Sequence, residues 1–266
     1  MVSVAVPKPA NREALVVGMG ELGSVFSVGL LRRGYSVTPV LRSTPEETIL
    51  TRPLQPSLCV ISVTEDDLQS VLDGWLRRYA DRWVLVQNEL RPSEWERRGL
   101  STPTVAVVWF EKKQGSVVHP IISTPVHGPH SGVIVDALTS LGIPAHQEPD
   151  PEQLLFELCL KNLYVLSMNF AGLVFPKDVG TIWYDNRAYL DQIFAEVLEL
   201  EAAQMQRNLP TQSLCIELER VIIADPRHAA AGRSALARLN RSLRTAKRLG
   251  IKTPTLDEIY KRQEER

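Results

Sequence analysis

The chain lacks several features that would narrow its class at once. It has three cysteines in 266 residues (Cys59, Cys159 and Cys215), far apart and each in an apolar context. That spacing excludes a disulfide framework and a cysteine-based metal site, and it fits reduced core thiols. Neither sign of charge is in excess: 30 Lys and Arg against 31 Asp and Glu give a net charge of −1. Such balance gives no electrostatic reason to expect nucleic acid or a membrane surface as partner. No run of 18 apolar residues occurs, and the first 13 residues lack an apolar core with a cleavage site. A bilayer span and a secretory leader are therefore not expected, and the expected location is the cytoplasm. There is no G-x-S-x-G elbow, no internal repeat and no low-complexity segment. His119, His127 and His130 fall close together, but their spacing, with no Cys or acid joining, matches no strong zinc pattern, and no metal is expected. His119 fits a sheet residue, while His127 and His130 suit the mouth of a cleft.

Two local absences say more. No acid occurs from Leu22 to Pro45, and none from Pro226 to Leu256, a stretch holding eight Lys or Arg. The first lies just behind the most informative motif in the chain. The apolar run Ala14-Leu15-Val16-Val17 is followed by Gly18-Met19-Gly20-Glu21-Leu22-Gly23 and then by a helical pattern over Ser24 to Arg33. Strand, tight turn and helix in this order make G-x-G-x-x-G a dinucleotide fingerprint. Gly18 lets the chain turn, Gly20 lets the backbone approach a pyrophosphate, and Gly23 lets the helix lie close on the strand. A second strand, Tyr35 to Leu41, is broken by Pro39, which a central strand resists. A site for NAD usually ends this strand on an acid that bonds the ribose 2′-OH. Here it ends on Arg42-Ser43-Thr44. A guanidinium and two hydroxyls suit a 2′-phosphate, so NADP(H) is the expected cofactor.

Further along, Pro45 to Pro56 is predicted to be a loop, Leu58 to Val63 a buried strand, Asp66 to Tyr79 a helix and Trp83 to Asn88 a strand. Thr104 to Phe110, Ser116 to His119 and Ile121 to Thr124 follow with short gaps and predict an antiparallel extension of the sheet. A helix over Val133 to Leu141 and a strand over Ile143 to His146 close this part. Glu148-Pro149-Asp150-Pro151 marks a boundary, after which the pattern is helical: Glu152 to Leu173, Tyr189 to Arg207, Pro210 to Ile223, Ala229 to Leu249 and Thr255 onward. The expected architecture is an α/β Rossmann-type doubly wound sheet with an antiparallel extension over residues 1–150, followed by an all-α domain over 151–266.

The order of these pieces resembles the ketopantoate reductase family, in which an NADP-binding Rossmann domain precedes a helical domain. The fingerprint and Arg42 are similar to that family's cofactor site. Gln87-Asn88 resembles its Gln-Asn-Gly loop, and Gly115 to His119 with His127-Gly128 resembles its G-x-V-x-H strand pair. Lys161 with Asn169 resembles its active-site helix, and Gly250 to Pro254 its G-I-x-T-P segment. The resemblance implies reduction of a 2-oxo acid or a related carbonyl or imine, with Lys161 as proton donor, Asn169 orienting substrate or ribose, and Asn88 near the nicotinamide ribose. The residues themselves make this chemistry sensible. Lys161 is the only Lys or Arg between Glu152 and Phe175 on a largely apolar helix, and burial would bring its pKa toward neutrality. Several family positions depart. The second asparagine falls on Val165, the lysine after the third strand on Thr64, the substrate glutamate near Ser234, and the loop glycine on Glu89. Ketopantoate itself is therefore not the expected substrate. The alternative is a non-catalytic NADP(H)-binding sensor, regulatory or assembly protein. A small-molecule partner and a homodimer through the helical domain complete the expectations, with no nucleic acid or membrane.

Overall fold

A computed structural model describes residues 12–45 and 55–265, so most of the predicted Pro45–Pro56 loop lies outside the described residues. The chain divides into two compact units. The first runs to Gln87 and resumes over Glu94–Leu154; the second takes Asn88–Ser93 and everything from Leu155.

The first unit is built on β1 (Glu13–Val17), α1 (Glu21–Arg32), β2 (Ser36–Val40), β3 (Leu58–Ile61), α2 (Glu65–Asp73) and β4 (Trp83–Leu85). After a single helical turn, α3 (Ser93–Glu96), come β5 (Thr104–Ala106), β6 (Phe110–Glu111), β7 (His119–Pro120), β8 (Thr124–His127), α4 (Ser131–Thr139) and β9 (Ala145–Gln147). Seven strands form one sheet in the order β2-β1-β3-β4-β5-β8-β9. The first five are parallel, β8 runs antiparallel to β5, and β9 lies parallel to β8. Strands β1, β3 and β4 are buried throughout, apart from the first residue of β1, which is why they read as unbroken apolar runs. Val25, Phe26 and Leu30 of α1 pack with Ile134, Ala137 and Leu138 of α4 in the core over this sheet. Pro39 sits in β2, an edge strand, where a residue without an N–H is tolerated.

Two segments differ from the sequence-based expectation. The antiparallel extension is smaller than predicted: β5 and β8 join the sheet, while β6 and β7 pair apart from it as a two-residue ribbon. Pro120 has no N–H with which to prolong that ribbon. The helix predicted over Asp66 to Tyr79 stops at Asp73, and a 3-10 segment over Trp75–Arg82, broken at Tyr79, follows Gly74.

The second unit is all-helical: α5 (Pro151–Val174, shared with the end of the first unit), α6 (Val179–Asp185), α7 (Arg187–Met205), α8 (Thr211–Ala224), α9 (Ala235–Leu249) and α10 (Pro254–Glu264). Asp150 opens α5 by accepting the Glu152 N–H at 2.9 Å, with Pro151 supplying a ready-made helical φ. Every residue from Leu158 to Gly172 is buried. By length and composition α5 would suit a bilayer, yet 83% of its most apolar window is buried inside the protein. At the other end, the buried Glu196 accepts the N–H groups of Thr255 (2.8 Å) and Leu256 (3.0 Å), so one carboxylate ends the orphan donors that open α10. Two boundaries were not anticipated. Helix α6 has its own cap, Asp178 accepting from Thr181 N at 2.7 Å. The basic helix begins at Ala235 rather than Ala229, because Ala229 bridges to Asp178 and Gly232 interrupts the pattern.

Candidate functional site

The glycine turn has one shape that its sequence enforces. Gly18 stands at φ +85°, and a Cβ there would come within 2.8 Å of the Ser62 carbonyl oxygen. A Cβ on Gly23 would lie 1.9 Å from the Gly18 carbonyl oxygen, so the helix could not approach the strand. Ser62, at the end of β3, locks the turn by donating its hydroxyl to Gly18 O at 2.6 Å. Gly20 differs from both: a Cβ there meets nothing within 4 Å. It is the N-terminal boundary residue of α1 and, having no side chain, makes no cap bond to that helix. A backbone cradle with open space before it and a positive helix end behind it is a ready anion site.

That turn forms one wall of a cavity of about 530 Å³ at the carboxyl ends of β1, β2 and β3. Strand order reverses here, since β2 lies on one side of β1 and β3 on the other, the place where doubly wound sheets bind ligands. Gly18, Met19 and Gly20 line it, as do Arg42, Thr64 and Asp67. Thr44 faces the cavity, and Ser43 does not; Leu41 N donates to the Thr44 hydroxyl in a tight turn. Glu21, Leu22 and Gly23 stand behind the lining, in the first turn of α1. Arg42 is 85% exposed and pairs with Asp67, its Nη2 2.5 Å from Oδ2. Thr64 donates its hydroxyl to the same oxygen at 2.8 Å. The Thr64 bond, aided by Arg42, holds the Asp67 carboxyl below the usual range against the opposing effect of burial.

The second unit contains a polar cluster within its apolar helices. Lys161 is buried on α5, with Nζ 5.9 Å from the centre of the Tyr164 ring. Burial, and secondarily the Arg238 charge, lower its pKa to about 7. Asn169 lies two turns on: its Nδ2 donates to Ala230 O at 2.9 Å, and its Oδ1 accepts from Arg238 Nη1 at 2.8 Å. Arg238 and Arg241, three residues apart on α9, both donate to the Glu89 carboxylate. Glu89 holds the left-handed backbone, φ +57°, that the resembling loop fills with glycine. Asn88 precedes it, half-buried, within the second unit. The same short segment is anchored twice more: Arg91 pairs with the buried Glu201, and Asn162 donates to Glu201 Oε2 (3.0 Å) and Leu90 O (3.3 Å). Arg238, Arg241 and Asn162 were not singled out from the sequence. The acid-free basic stretch was the available signal for the arginines, but it carries no indication of which two meet Glu89.

Other predicted positions have structural duties. Gln87 donates to Ile61 O at 2.5 Å and ties the end of β4 to that of β3. His127 Nδ1 lies 2.8 Å from Glu148 O, and burial lowers the His130 pKa. Gly128 passes so close to Pro103 that a Cβ would come within 2.5 Å of its carbonyl oxygen. Among the described residues no three His, Cys, Asp or Glu converge as a metal site.

No protein-family model and no curated protein matches the chain. Solved structures do match it. A PanE/ApbA family ketopantoate reductase from Ralstonia eutropha JMP134 is 16% identical, with 93% of this chain and 96% of that one covered at a TM-score of 0.65. A dimeric ketopantoate reductase from Staphylococcus aureus is 18% identical, covering 94% and 96% at 0.62. D-mandelate dehydrogenase, solved in complex with NADH, is 14% identical, covering 95% and 99% at 0.63. At these identities the likeness is one of fold, and the chain is a Rossmann-fold protein structurally related to the PanE/ApbA ketopantoate-reductase family.

Proposed function

We propose that the chain is a nicotinamide-dinucleotide-dependent oxidoreductase that reduces a small 2-oxo acid or a related carbonyl or imine, with NADP(H) as cofactor. The observation that carries this reading is the cavity at the carboxyl ends of β1 to β3, walled by a glycine turn whose middle residue faces open space. The Gly18–Gly20 backbone and the first turn of α1, from Glu21 to Gly23, would hold the pyrophosphate. Arg42 and the Thr44 hydroxyl, which both line the cavity, suit a 2′-phosphate, whereas Ser43 does not face it; Asn88 suits the nicotinamide ribose. Relatives in fold are named as reductases of ketopantoate and a dehydrogenase of D-mandelate, a 2-oxo acid and a 2-hydroxy acid. One was solved with NADH, so the fold does not by itself choose between the dinucleotides.

When bound, a reduced nicotinamide would supply a hydride to the carbonyl carbon. Lys161 would give its ammonium proton to the oxygen, where the former C=O π pair forms the new O–H bond, so that a 2-oxo acid would leave as a 2-hydroxy acid. A pKa of about 7 suits an ammonium that must give up a proton and regain it at neutral pH. Asn169 steers Arg238, whose charge favours the developing alkoxide.

One observation favours a second reading, a non-catalytic sensor or assembly protein: the Glu89 carboxylate already occupies Arg238 and Arg241. A cytoplasmic location and a homodimer through the helical unit belong to both readings. Calorimetric titration with NADPH and NADH, followed by a screen of 2-oxo acids and imines for nucleotide oxidation, tests them. Binding with turnover supports the reductase, binding without turnover on any compound supports the sensor, and absence of binding overturns both.

A further inference from the structure

Arg42 does not face the cavity as an isolated cation. Its guanidinium meets Asp67 at 2.5 Å, and both residues, with Thr64, line the same end of the cavity, next to the carboxyl end of β2. In a doubly wound sheet that is where the adenosine ribose lies, and the group at this point meets its 2′ substituent. The acid missing from β2 is thus supplied by the first turn of α2. We infer that Asp67 is a specificity-determining residue for the 2′ position: it competes with a 2′-phosphate for Arg42 and offers its own oxygen to a 2′-hydroxyl, so that the site takes NADH as well as NADPH. This rests on the reading that the cavity holds a nicotinamide dinucleotide.

Three features support the inference. Arg42 and Thr64 both bond to Asp67 Oδ2, while Oδ1 accepts no hydrogen bond among the described residues and can receive one from a hydroxyl. The carboxyl is held low, so it stays ionised at neutral pH and repels a phosphate dianion. Thr64 fixes the carboxylate independently of Arg42, so its charge stays at the site even when Arg42 turns to a phosphate. Because the pair is exposed, its coupling is modest, and the expected effect is a change of preference rather than of folding.

The test is the ratio of the NADH to the NADPH dissociation constant, measured by calorimetry on the full chain and on Asp67→Asn. The expected result is a ratio about five- to tenfold higher in the variant, through tighter NADPH binding and weaker NADH binding. The same change made in an Arg42→Ala background should shift the ratio less, because the competition has lost its object. A ratio that stays within about twofold of the parent's, with both dinucleotides bound, overturns the inference and leaves the cofactor reading standing. If neither dinucleotide binds the parent chain, the cofactor reading falls and this inference with it.

Discussion

Arg241 holds the Glu89 carboxylate at two points, Nε 3.3 Å from Oε2 and Nη2 2.6 Å from Oε1. Arg238 adds a third bond, Nε to Oε1 at 3.1 Å. The three side chains are 10–19% exposed, so removing the acid leaves two poorly hydrated cations. Glu89→Ala is expected to destabilise the fold by about 3 kcal/mol, read by urea unfolding. Glu89→Gly should lose the same bonds but accept the left-handed backbone, and so be about 1 kcal/mol more stable than the alanine variant. Equal stabilities would mean that the φ of Glu89 carries no strain.

Gly20 and Gly23 separate cofactor binding from folding. Gly20→Ala meets open space and has an ordinary φ, so its Tm should stay within about 2 °C of the parent's while dinucleotide affinity falls. Gly23→Ala drives a methyl into the Gly18 carbonyl, and both Tm and affinity should fall. Thermal melts with and without NADPH distinguish the two.

Lys161 ties stability to pH. Its folded-state pKa of about 7 lies below the ordinary lysine value of 10.5. Below pH 7 both states are protonated, and the folded chain bears the full cost of a buried charge. Between pH 7 and 10.5 the unfolded chain binds more protons, so stability rises with pH. Lys161→Met should therefore stabilise the fold by up to about 5 kcal/mol at pH 6, with the gain fading toward pH 10.

The same residue sets a kinetic signature. If the protonated amine is the donor, kcat falls as pH rises through about 7. Lys161→Met should abolish turnover while leaving NADPH affinity unchanged. A parallel loss of affinity would remove it from the role of proton donor.

Glu196→Gln weakens the carboxylate that opens α10 while keeping its shape. The expected cost is about 1–2 kcal/mol, measured by urea unfolding, with dinucleotide affinity unaffected.

What could be read from the sequence was local. The turn from Gly18 to Gly23 is a run of neighbours whose conformation depends on one another, so the residues alone predict it. Arg42 was visible as the end of β2, but Asp67 was not visible as its partner, because 25 residues and a second crossover separate them. Lys161 and Asn169 stood out as polar groups on an apolar helix. Their connection through Arg238 depends on how α9 lies against α5, which no spacing encodes. The separation of β6 and β7 from the sheet is not legible in the sequence, because two short apolar runs flanking a glycine turn look alike whether or not they reach the sheet. Helix α6 leaves little trace in the sequence, because Pro176 and Gly180 obscure the pattern of a helix only seven residues long.

The position of Pro39 reaches beyond its own strand. Ser36 N donates to Arg12 O and Val40 O accepts from Gly18 N, so the even-numbered residues of β2 turn their backbone groups toward β1. Residues 37 and 39 turn theirs outward, and at Pro39 the outward donor does not exist. A foreign strand laid along this edge would find a gap in the ladder where it most needs continuity. The sheet is thereby guarded against growing into a fibre from this side.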